Sequence, residues 1–405
     1  MKKKDVIWNT LGSGMFAANS FFMLMLISRI KGAAVAGEFG IAWTTAHILY
    51  TIGIFGMNSF QMTDYNEEYR FADYFWVKIF STGLMVFGCV AAIQLLGFSG
   101  NKRSFTVLLT SFMILNSIAE LYQSMYFQKK RIDLSGKSLF YRTFFSTLAF
   151  ILCLSISQNI VLSLAVLLLT NLALTWWWDF WLARQFDLGR LAWRKNEVFR
   201  LIKACIPLFL SAFLSLLLIN SSKYLLEQLS DDVTQGHFNM IFMPATVINL
   251  LSGFVFKPLL AEYGEAFKKR DFSLFYKIFG KNIAFLFGLE MLCCVGAWIF
   301  GTPVLGFLYK ADLSAYRVPL LLIIIGGGFM AIVNLLYFLL VLLRQQKLIL
   351  LNYAAVSVIS FVVGIPLVRA YGILGASWSF LISFLLSGLL SLGMLHFSLR
   401  RMKNA

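Results

Sequence analysis

Long apolar stretches alternate with short polar connections along almost the whole chain. Each stretch is long enough to cross about 30 Å of hydrocarbon as an α-helix, allowing for tilt. The pattern therefore predicts an all-α polytopic membrane protein with about twelve transmembrane helices. The predicted spans are 6–29, 39–62, 73–97, 105–127, 138–157, 159–183, 204–226, 239–262, 279–301, 317–343, 349–368 and 372–398.

Composition supports this prediction. The chain is 59% hydrophobic and only 13% charged, with a mean hydropathy of +0.77, whereas a soluble domain carries about 25% charged residues. Lys2, Lys3 and Lys4 precede the first stretch, as in a signal peptide, but that stretch is longer than the roughly 7–15 residues of a signal-peptide core. All five cysteines lie in apolar stretches, so we expect neither a disulfide framework nor a metal site.

The distribution of Lys and Arg predicts the orientation of the chain. With the N-terminus in the cytoplasm, 27 of the 35 Lys and Arg residues fall on the cytoplasmic side, as the positive-inside rule requires. We therefore expect a multi-pass membrane protein with both termini cytoplasmic. The net charge of +16 then needs no nucleic acid to explain it. The cations left on the outer side are Arg29, Lys31, Lys102, Arg103, Lys223, Lys310, Arg317 and Arg369.

The longest cytoplasmic connection, 184–203, falls halfway along the predicted spans. It is basic, and we expect it to form an amphipathic interfacial helix with Leu191, Trp193, Val198 and Phe199 toward lipid. The predicted domains are an N-lobe 1–183, the linker 184–203, a C-lobe 204–398 and a cytoplasmic tail 399–405.

A short internal similarity links the two halves. Residues 37–46, GEFGIAWTTA, align with residues 236–245, GHFNMIFMPA, and each copy begins the second helix of its half. Because six helices separate the copies, they have the same membrane orientation. This indicates a parallel repeat around an axis along the membrane normal.

Several stretches resemble a known group of transporters. The two six-helix halves, the short outer turn from Arg29 to Gly37, and RAYGILGASWSFLIS (369–383) resemble the multidrug/oligosaccharidyl-lipid/polysaccharide (MOP, MATE-like) flippase superfamily. ELYQSMYFQKKRIDLSGKSLFYRTFFS (120–146) and INSSKYLLEQLSDDVTQGHFNMIFMPATVINLLSGFVFKPLL (219–260) resemble its bacterial polysaccharide-exporter branch.

The resemblance implies a fold and a function. The fold would be two pseudo-symmetric six-helix lobes around a central cavity that opens alternately to each side. The function would be to flip a polyprenyl-pyrophosphate-linked oligosaccharide repeat unit for cell-surface polysaccharide assembly. Membrane lipids, a polysaccharide polymerase and glycosyltransferases would then be its partners, and no cofactor is expected.

A phosphate-bearing substrate gives the outer cations a candidate role. Arg29 and Lys31, with Lys223 near the corresponding end of helix seven, would form a cationic mouth for the pyrophosphate, since Arg binds phosphate through bidentate hydrogen bonds. The alternative is that these side chains reach outward to lipid headgroups. Further candidates for substrate binding are Lys257, Arg142, Asn9, Asn220 and Asn239.

Two acidic residues within spans are candidates for ion coupling. Glu290 lies near the middle of the ninth predicted helix, where a charge is costly, and Glu120 lies toward the cytoplasmic end of the fourth. Proton or sodium coupling is one interpretation, and a structural hydrogen bond within a lobe is the other. We also expect Asp179 to pair with Arg184, and the glycines 326–328 to permit close packing or a hinge.

Other functions are less well supported. A cation-coupled multidrug exporter should present carboxylates to cationic drugs, and a lipid-linked peptidoglycan precursor flippase usually has two more helices. An enzyme is disfavoured because the longest external segment, 302–317, carries no paired acids or histidine. An ATP-driven pump is disfavoured because Arg131 occupies the position of the required P-loop glycine before Gly136-Lys137-Ser138.

Overall fold

The computed structural model describes residues 3–64, 68–186, 188–269 and 271–403, with side chains except at 3, 4, 6, 63, 250, 251, 253–261, 266, 268, 272, 402 and 403. This part of the chain is helical and contains no strand. The helices are α1 Lys3–Lys31, α2 Ala33–Ile54, α3 Met57–Thr63, α4 Phe71–Leu95, α5 Gly100–Gln128, α6 Ile132–Ser157, α7 Ile160–Leu174, α8 Trp181–Ala183, α9 Lys195–Leu229, α10 Asp232–Lys268, α11 Phe272–Gly296, α12 Thr302–Tyr309, α13 Arg317–Leu342, α14 Gln346–Tyr371 and α15 Ile373–Lys403.

Ten helical segments of the described chain are long and apolar enough to cross a membrane. Two π-helical turns, Thr175–Phe180 and Ala297–Gly301, join α7 to α8 and α11 to α12 within two of these segments. Large apolar side chains such as Phe87 and Met291 are more than two-thirds exposed, which suits contact with lipid. Two further predicted spans correspond to α2 with α3 and to α10, which are not among the ten.

The chain divides into two compact units. Unit 1 comprises Met1–Lys31 and Glu38–Phe213, and unit 2 comprises Gly32–Gly37 and Leu214–Ala405.

In unit 1, α1 packs along α6, and α6 packs along α7. The α1–α6 crossing depends on glycine: a Cβ on Gly136 would lie 2.6 Å from the backbone nitrogen of Asn9. At the same crossing, the side-chain amide of Asn9 donates to the carbonyl of Ile132 at 3.0 Å. Asn9 therefore holds two helices together.

In unit 2, α13 and α14 pack along α15, and α10 packs along α13. The residues 32–37 lie against the first turns of α10 within this unit. A Cβ on Gly37 would overlap the carbonyl of Asp232, and one on Gly236 would overlap the carbonyl of Ala33. The two glycines matched by the internal similarity are therefore both sites of close backbone approach.

The connection between α8 and α9 differs from the interfacial helix predicted for 184–203. Residues 188–194 are not helical, and Lys195 begins the long helix α9. Trp193 and Phe199 are exposed as expected, but Val198 is buried in a core cluster with Leu201 and Cys205. The beginning of α9 thus contributes to the hydrophobic core of unit 1, because residues of other helices in this unit bury one of its faces.

Candidate functional site

A buried pair of opposite charges lies inside unit 1. The guanidinium Nη1 of Arg142 on α6 is 4.0 Å from Oδ2 of Asp179, and the two side chains are 1% and 0% exposed. Asp179 also accepts a short hydrogen bond from Ser138, one turn before Arg142 on α6. The Asp179 carbonyl accepts from the hydroxyl of Tyr126 at 2.9 Å. The predicted pairing of Asp179 with Arg184 is wrong.

The spacing of Asp179 and Arg184 explains why they do not pair. Asp179 lies within the π-helical turn Thr175–Phe180 and is buried, whereas Arg184 lies beyond α8 and its guanidinium stacks over the ring of Phe180 at 4.9 Å. Only residues three or four apart share a face of an α-helix, and five positions separate these two. Asp179 faces α6, where Arg142 lies.

Glu120 is held by two donors from the preceding helices. The hydroxyl of Tyr50 donates to one carboxylate oxygen at 3.0 Å, and the side-chain amide of Asn58 donates to the other at 2.6 Å. Neutral donors therefore engage both carboxylate oxygens of Glu120. Both hydrogen bonds lie within unit 1.

Lys78 closes a break between α2 and α3. Phe55 and Gly56 have left-handed backbone conformations there, which end α2 and leave carbonyl groups without helical partners. The buried ammonium of Lys78 donates to the carbonyl of Gly53 at 2.7 Å and to Ser117 at 3.0 Å. Unit 1 thus contains Lys78, Glu120, Arg142 and Asp179 in its interior.

The predicted cations at the end of α1 lie on the surface. Arg29 and Lys31 are in the last turn of α1, and both are exposed. Two residues apart on a helix do not share a face, so the two side chains point in different directions.

Lys223, the third cation of the predicted mouth, lies in unit 2 on α9. Its ammonium sits over the ring of Phe242 at 4.5 Å from the centroid. No ion pair with a carboxylate is found for it in the part of the chain that the structure describes. Asn220, one turn earlier on α9, donates to the carbonyl of Leu216 at 2.9 Å, while Asn239 on α10 is buried.

Glu290 lies against the glycines of α13. Its carboxylate occupies the place where a side chain at Gly328 would begin, and the thiol of Cys294 contacts its other oxygen at 3.7 Å. The predicted role of the glycine run 326–328 in close packing is confirmed. Lys257, also predicted to bind substrate, has a side chain outside the described residues.

Sequence reasoning did not identify all of the polar and charged residues that lie in the interior of unit 1. Lys78 was counted only among the cytoplasmic cations, and Tyr50 was not singled out. A usable signal was present: Lys78, Glu120, Arg142 and Asp179 are charges within or beside predicted spans, where each needs a partner. Which charges pair depends on packing between distant helices.

A comparison with protein-family models identifies the family. Residues 3–263 match the model described as "Polysaccharide biosynthesis protein", which is more than half of the chain. The chain belongs to this polysaccharide biosynthesis protein family. A search of curated protein sequences finds no match.

Solved structures share the fold of this family member. An inward-facing multidrug resistance MATE transporter of the MOP superfamily matches with a TM-score of 0.70, 11% identity and 100% coverage of both chains. The lipid II flippase MurJ, in an inward closed conformation, matches at 0.71 with 13% identity, over 97% of this chain and 87% of its own. The Vibrio cholerae MATE transporter VcmN matches at 0.64 with 13% identity, over 98% and 97%.

These identities are too low to transfer a substrate, but the structural similarity shows an all-helical fold like that of MATE transporters and MurJ. Together with the family match, they bear out the resemblance to the MOP superfamily.

Proposed function

We propose that this polysaccharide biosynthesis protein flips a polyprenyl-pyrophosphate-linked oligosaccharide repeat unit across the bacterial cytoplasmic membrane, as a transporter and not as an enzyme. The observation that carries the proposal is the family match over residues 3–263. The ten helical segments of the described chain that are long and apolar enough to cross a membrane support action within a bilayer. The shared fold with transporters supports alternating access as the mechanism.

The chemistry of this substrate explains why a protein is needed. Transfer of one unpaired hydroxyl into an apolar medium costs roughly 2–7 kcal/mol, so an oligosaccharide cannot cross bare lipid at a useful rate. A path between two six-helix lobes, with both termini in the cytoplasm, would keep the sugars hydrated. Asn9, Asn220 and Asn239 were predicted to bind sugars. Because Asn9 and Asn220 bond to backbone carbonyls, Asn239 becomes the preferred candidate.

The pyrophosphate needs cationic ligands. We assign this role to Arg29, Lys31 and Lys223. Lys223 is the preferred candidate, since its ammonium contacts an aromatic ring and forms no ion pair with a carboxylate of the described residues. Arg142 is buried against Asp179 in this conformation, so we assign it a positioning role inside unit 1. Lys257 stays a candidate from its place in the sequence.

The energy source belongs to the same proposal. Glu290 and Glu120 are the candidates for coupling to protons or sodium. Glu290 is better placed, because Glu120 already accepts hydrogen bonds at both of its oxygens. Glycosyltransferases would supply the glycan, and a polysaccharide polymerase would consume it.

Binding to a purified lipid-linked oligosaccharide tests the proposed function. We expect the wild-type chain to bind a polyprenyl-pyrophosphate oligosaccharide, and Lys223→Ala and Arg29→Ala each to weaken binding about tenfold, which is about 1.4 kcal/mol. Arg369→Ala, another outer cation, serves as the matched control and should change affinity little. Unchanged binding in the two variants would show that these cations only reach headgroups.

The same experiment tests two other candidate substrates. The fold shared with the lipid II flippase MurJ makes a lipid-linked peptidoglycan precursor the second candidate. The fold shared with multidrug transporters makes a cationic dye the third. Binding of the dye alone would contradict the proposal and turn attention to Glu290 and Glu120.

A further inference from the structure

A cavity of about 470 Å³ lies within unit 1, where the beginning of α4, the end of α5 and the connection before α9 meet. Phe71, Met125 and Leu188 form apolar parts of its lining. Gln128 also lines it and donates from its side chain to the carbonyl of Asp64 at 2.6 Å. Three segments distant in sequence therefore build one site.

Each of the three segments contributes a cation to this cavity. Arg70 precedes α4, Lys129 follows α5, and Arg190 lies in the connection before α9. Tyr69 also lines the cavity, and its hydroxyl is a neutral hydrogen-bond donor at pH 7. Guanidinium groups bind phosphate through paired hydrogen bonds, and a lysine adds a point charge.

Three carboxylates of the described residues beside the cavity are engaged with other partners. Asp73 is paired with Arg194, and Glu68 is paired with Arg200. Asp64 accepts from backbone N–H groups of the segment before α4. In the described parts of the chain, neither cavity guanidinium, Arg70 nor Arg190, forms an ion pair with a carboxylate.

The cavity also lies at the depth of lipid headgroups. The apolar span of α4 begins at Phe71, and that of α5 ends at Gln128, so the site lies at the edge of the hydrocarbon, where phosphates of the bilayer lie. The indole rings of Trp76 and Trp193 meet edge to face nearby, at 5.1 Å, as aromatic side chains do at this interface.

We propose that this cavity binds the phosphate group of a membrane lipid, with Arg70, Lys129 and Arg190 as the anion ligands and the apolar wall against the lipid's glycerol or prenyl portion. The site shares no residue with the cations assigned to the translocated substrate. It therefore goes beyond the proposed function, and its test is independent of the test of that function.

Titration of the purified full-length protein in neutral detergent tests the proposal. The probes are phosphatidylglycerol, farnesyl pyrophosphate and inorganic pyrophosphate, with phosphatidylcholine as the zwitterionic reference, and affinity is measured by native mass spectrometry or calorimetry. The variant is Arg70→Gln with Arg190→Gln. Arg184→Gln is the matched control, because it removes one charge from the same connection at a residue that stacks on Phe180.

We expect a phosphate-bearing lipid to bind, and the double variant to weaken that binding at least about tenfold, since hydrogen bonds to charged groups are stronger than those between neutral groups. The control should bind like wild type. Preference for phosphatidylglycerol identifies a bilayer lipid as the ligand, and preference for farnesyl pyrophosphate identifies a prenyl carrier. Equal affinity for inorganic pyrophosphate would contradict a lipid site.

A second variant distinguishes loss of lipid binding from loss of folding. Arg70→Lys with Arg190→Lys keeps both charges but lacks the bidentate geometry, and we expect intermediate affinity with an unchanged melting temperature. Equal lipid binding by wild type and the folded glutamine variant would overturn the proposal.

Discussion

At the scale of single residues, Arg142 and Asp179 form a buried ion pair in the interior of unit 1. Two charges without exposed surface are costly to bury, and their attraction offsets that cost only with good geometry. Here the pair is 4.0 Å apart, and Nε and Nη1 of Arg142 and Oδ2 of Asp179 have no hydrogen-bond partner among the described atoms. Removing one charge should therefore be worse than removing both.

A double-mutant cycle checks this coupling. Arg142→Met and Asp179→Asn should each destabilise unit 1 by about 3–5 kcal/mol, because each leaves a buried charge uncompensated. The double variant should be closer to wild type than the sum of the two. Apparent melting temperatures of the purified chain in detergent measure the effect. Arg131→Gln, at an exposed pair with Asp133, is the control and should change little; additive losses would exclude coupling.

At the scale of helices, the α1–α6 crossing in unit 1 depends on a glycine contact. A Cβ on Gly136 would lie within 2.7 Å of backbone atoms of Trp8 and Asn9. Backbone cannot move aside as a flexible side chain does, so the helices must separate, and separation also breaks the hydrogen bond from Asn9 to Ile132.

Substitution of this glycine should loosen the crossing. Gly136→Val is expected to lower stability by about 1–3 kcal/mol through overpacking, seen as a lower melting temperature. Gly83→Ala is the matched control: it lies inside α4 with open space around its missing side chain. Because Ala favours helix over Gly, the control should leave stability unchanged or raise it. A stable Gly136→Val would mean that the crossing adapts.

The beginning of α10 gives a pH-dependent test. Asp231 caps this helix by accepting from the backbone N–H of Thr234 at 2.7 Å, and that hydrogen bond lowers the pKa of the carboxyl. A lowered folded-state pKa contributes stability above the ordinary Asp value of about 3.9, and the contribution is lost as pH falls through the lowered value.

We therefore expect Asp231→Ala to cost about 1 kcal/mol at pH 7 and progressively less toward pH 3. Asp231→Asn keeps an acceptor at the cap but has no titrating group, so its stability should lack this acid-dependent step. Thermal unfolding of the three proteins across that pH range supplies the measurement. A deficit of Asp231→Ala that does not change with pH would contradict the capping role.

At the scale of the whole molecule, the number of membrane crossings sets which connections face the cytoplasm. Ten segments meet the criteria of length and hydropathy. We propose that α2 with α3, and α10, cross as well, which gives twelve. The connection between α4 and α5 distinguishes the two counts, because it lies outside the cell only if the α2 segment crosses.

Cysteine labelling checks this topology. In a variant without native cysteines, Ser99→Cys, in the exposed connection before α5, should react with a membrane-impermeant maleimide in intact cells. Gln185→Cys, in the connection after α8, should react only after permeabilisation. The reverse pattern, with Gln185→Cys labelled in intact cells and Ser99→Cys only after permeabilisation, would mean that α2 does not cross.

Much of the fold was accessible from local pattern. The span lengths and the all-helical class follow from hydropathy over about twenty consecutive residues, and the superfamily resemblance is confirmed by the family match and the shared fold. The close packing at glycines 326–328 was also predicted, since small residues let helices approach. These properties depend on a residue's neighbours along the chain.

Other properties arise from residues brought together by folding. Asp179 pairs with Arg142 and not with Arg184, because the turn that carries Asp179 packs against α6. Val198 is buried, although the pattern of 184–203 placed it toward lipid. The cavity of Arg70, Lys129 and Arg190 joins three segments distant in sequence. Hydropathy measures how apolar a stretch is. The choice of ion-pair partner and the position of a cavity depend instead on how distant helices pack, and the periodicity of the sequence does not encode that packing.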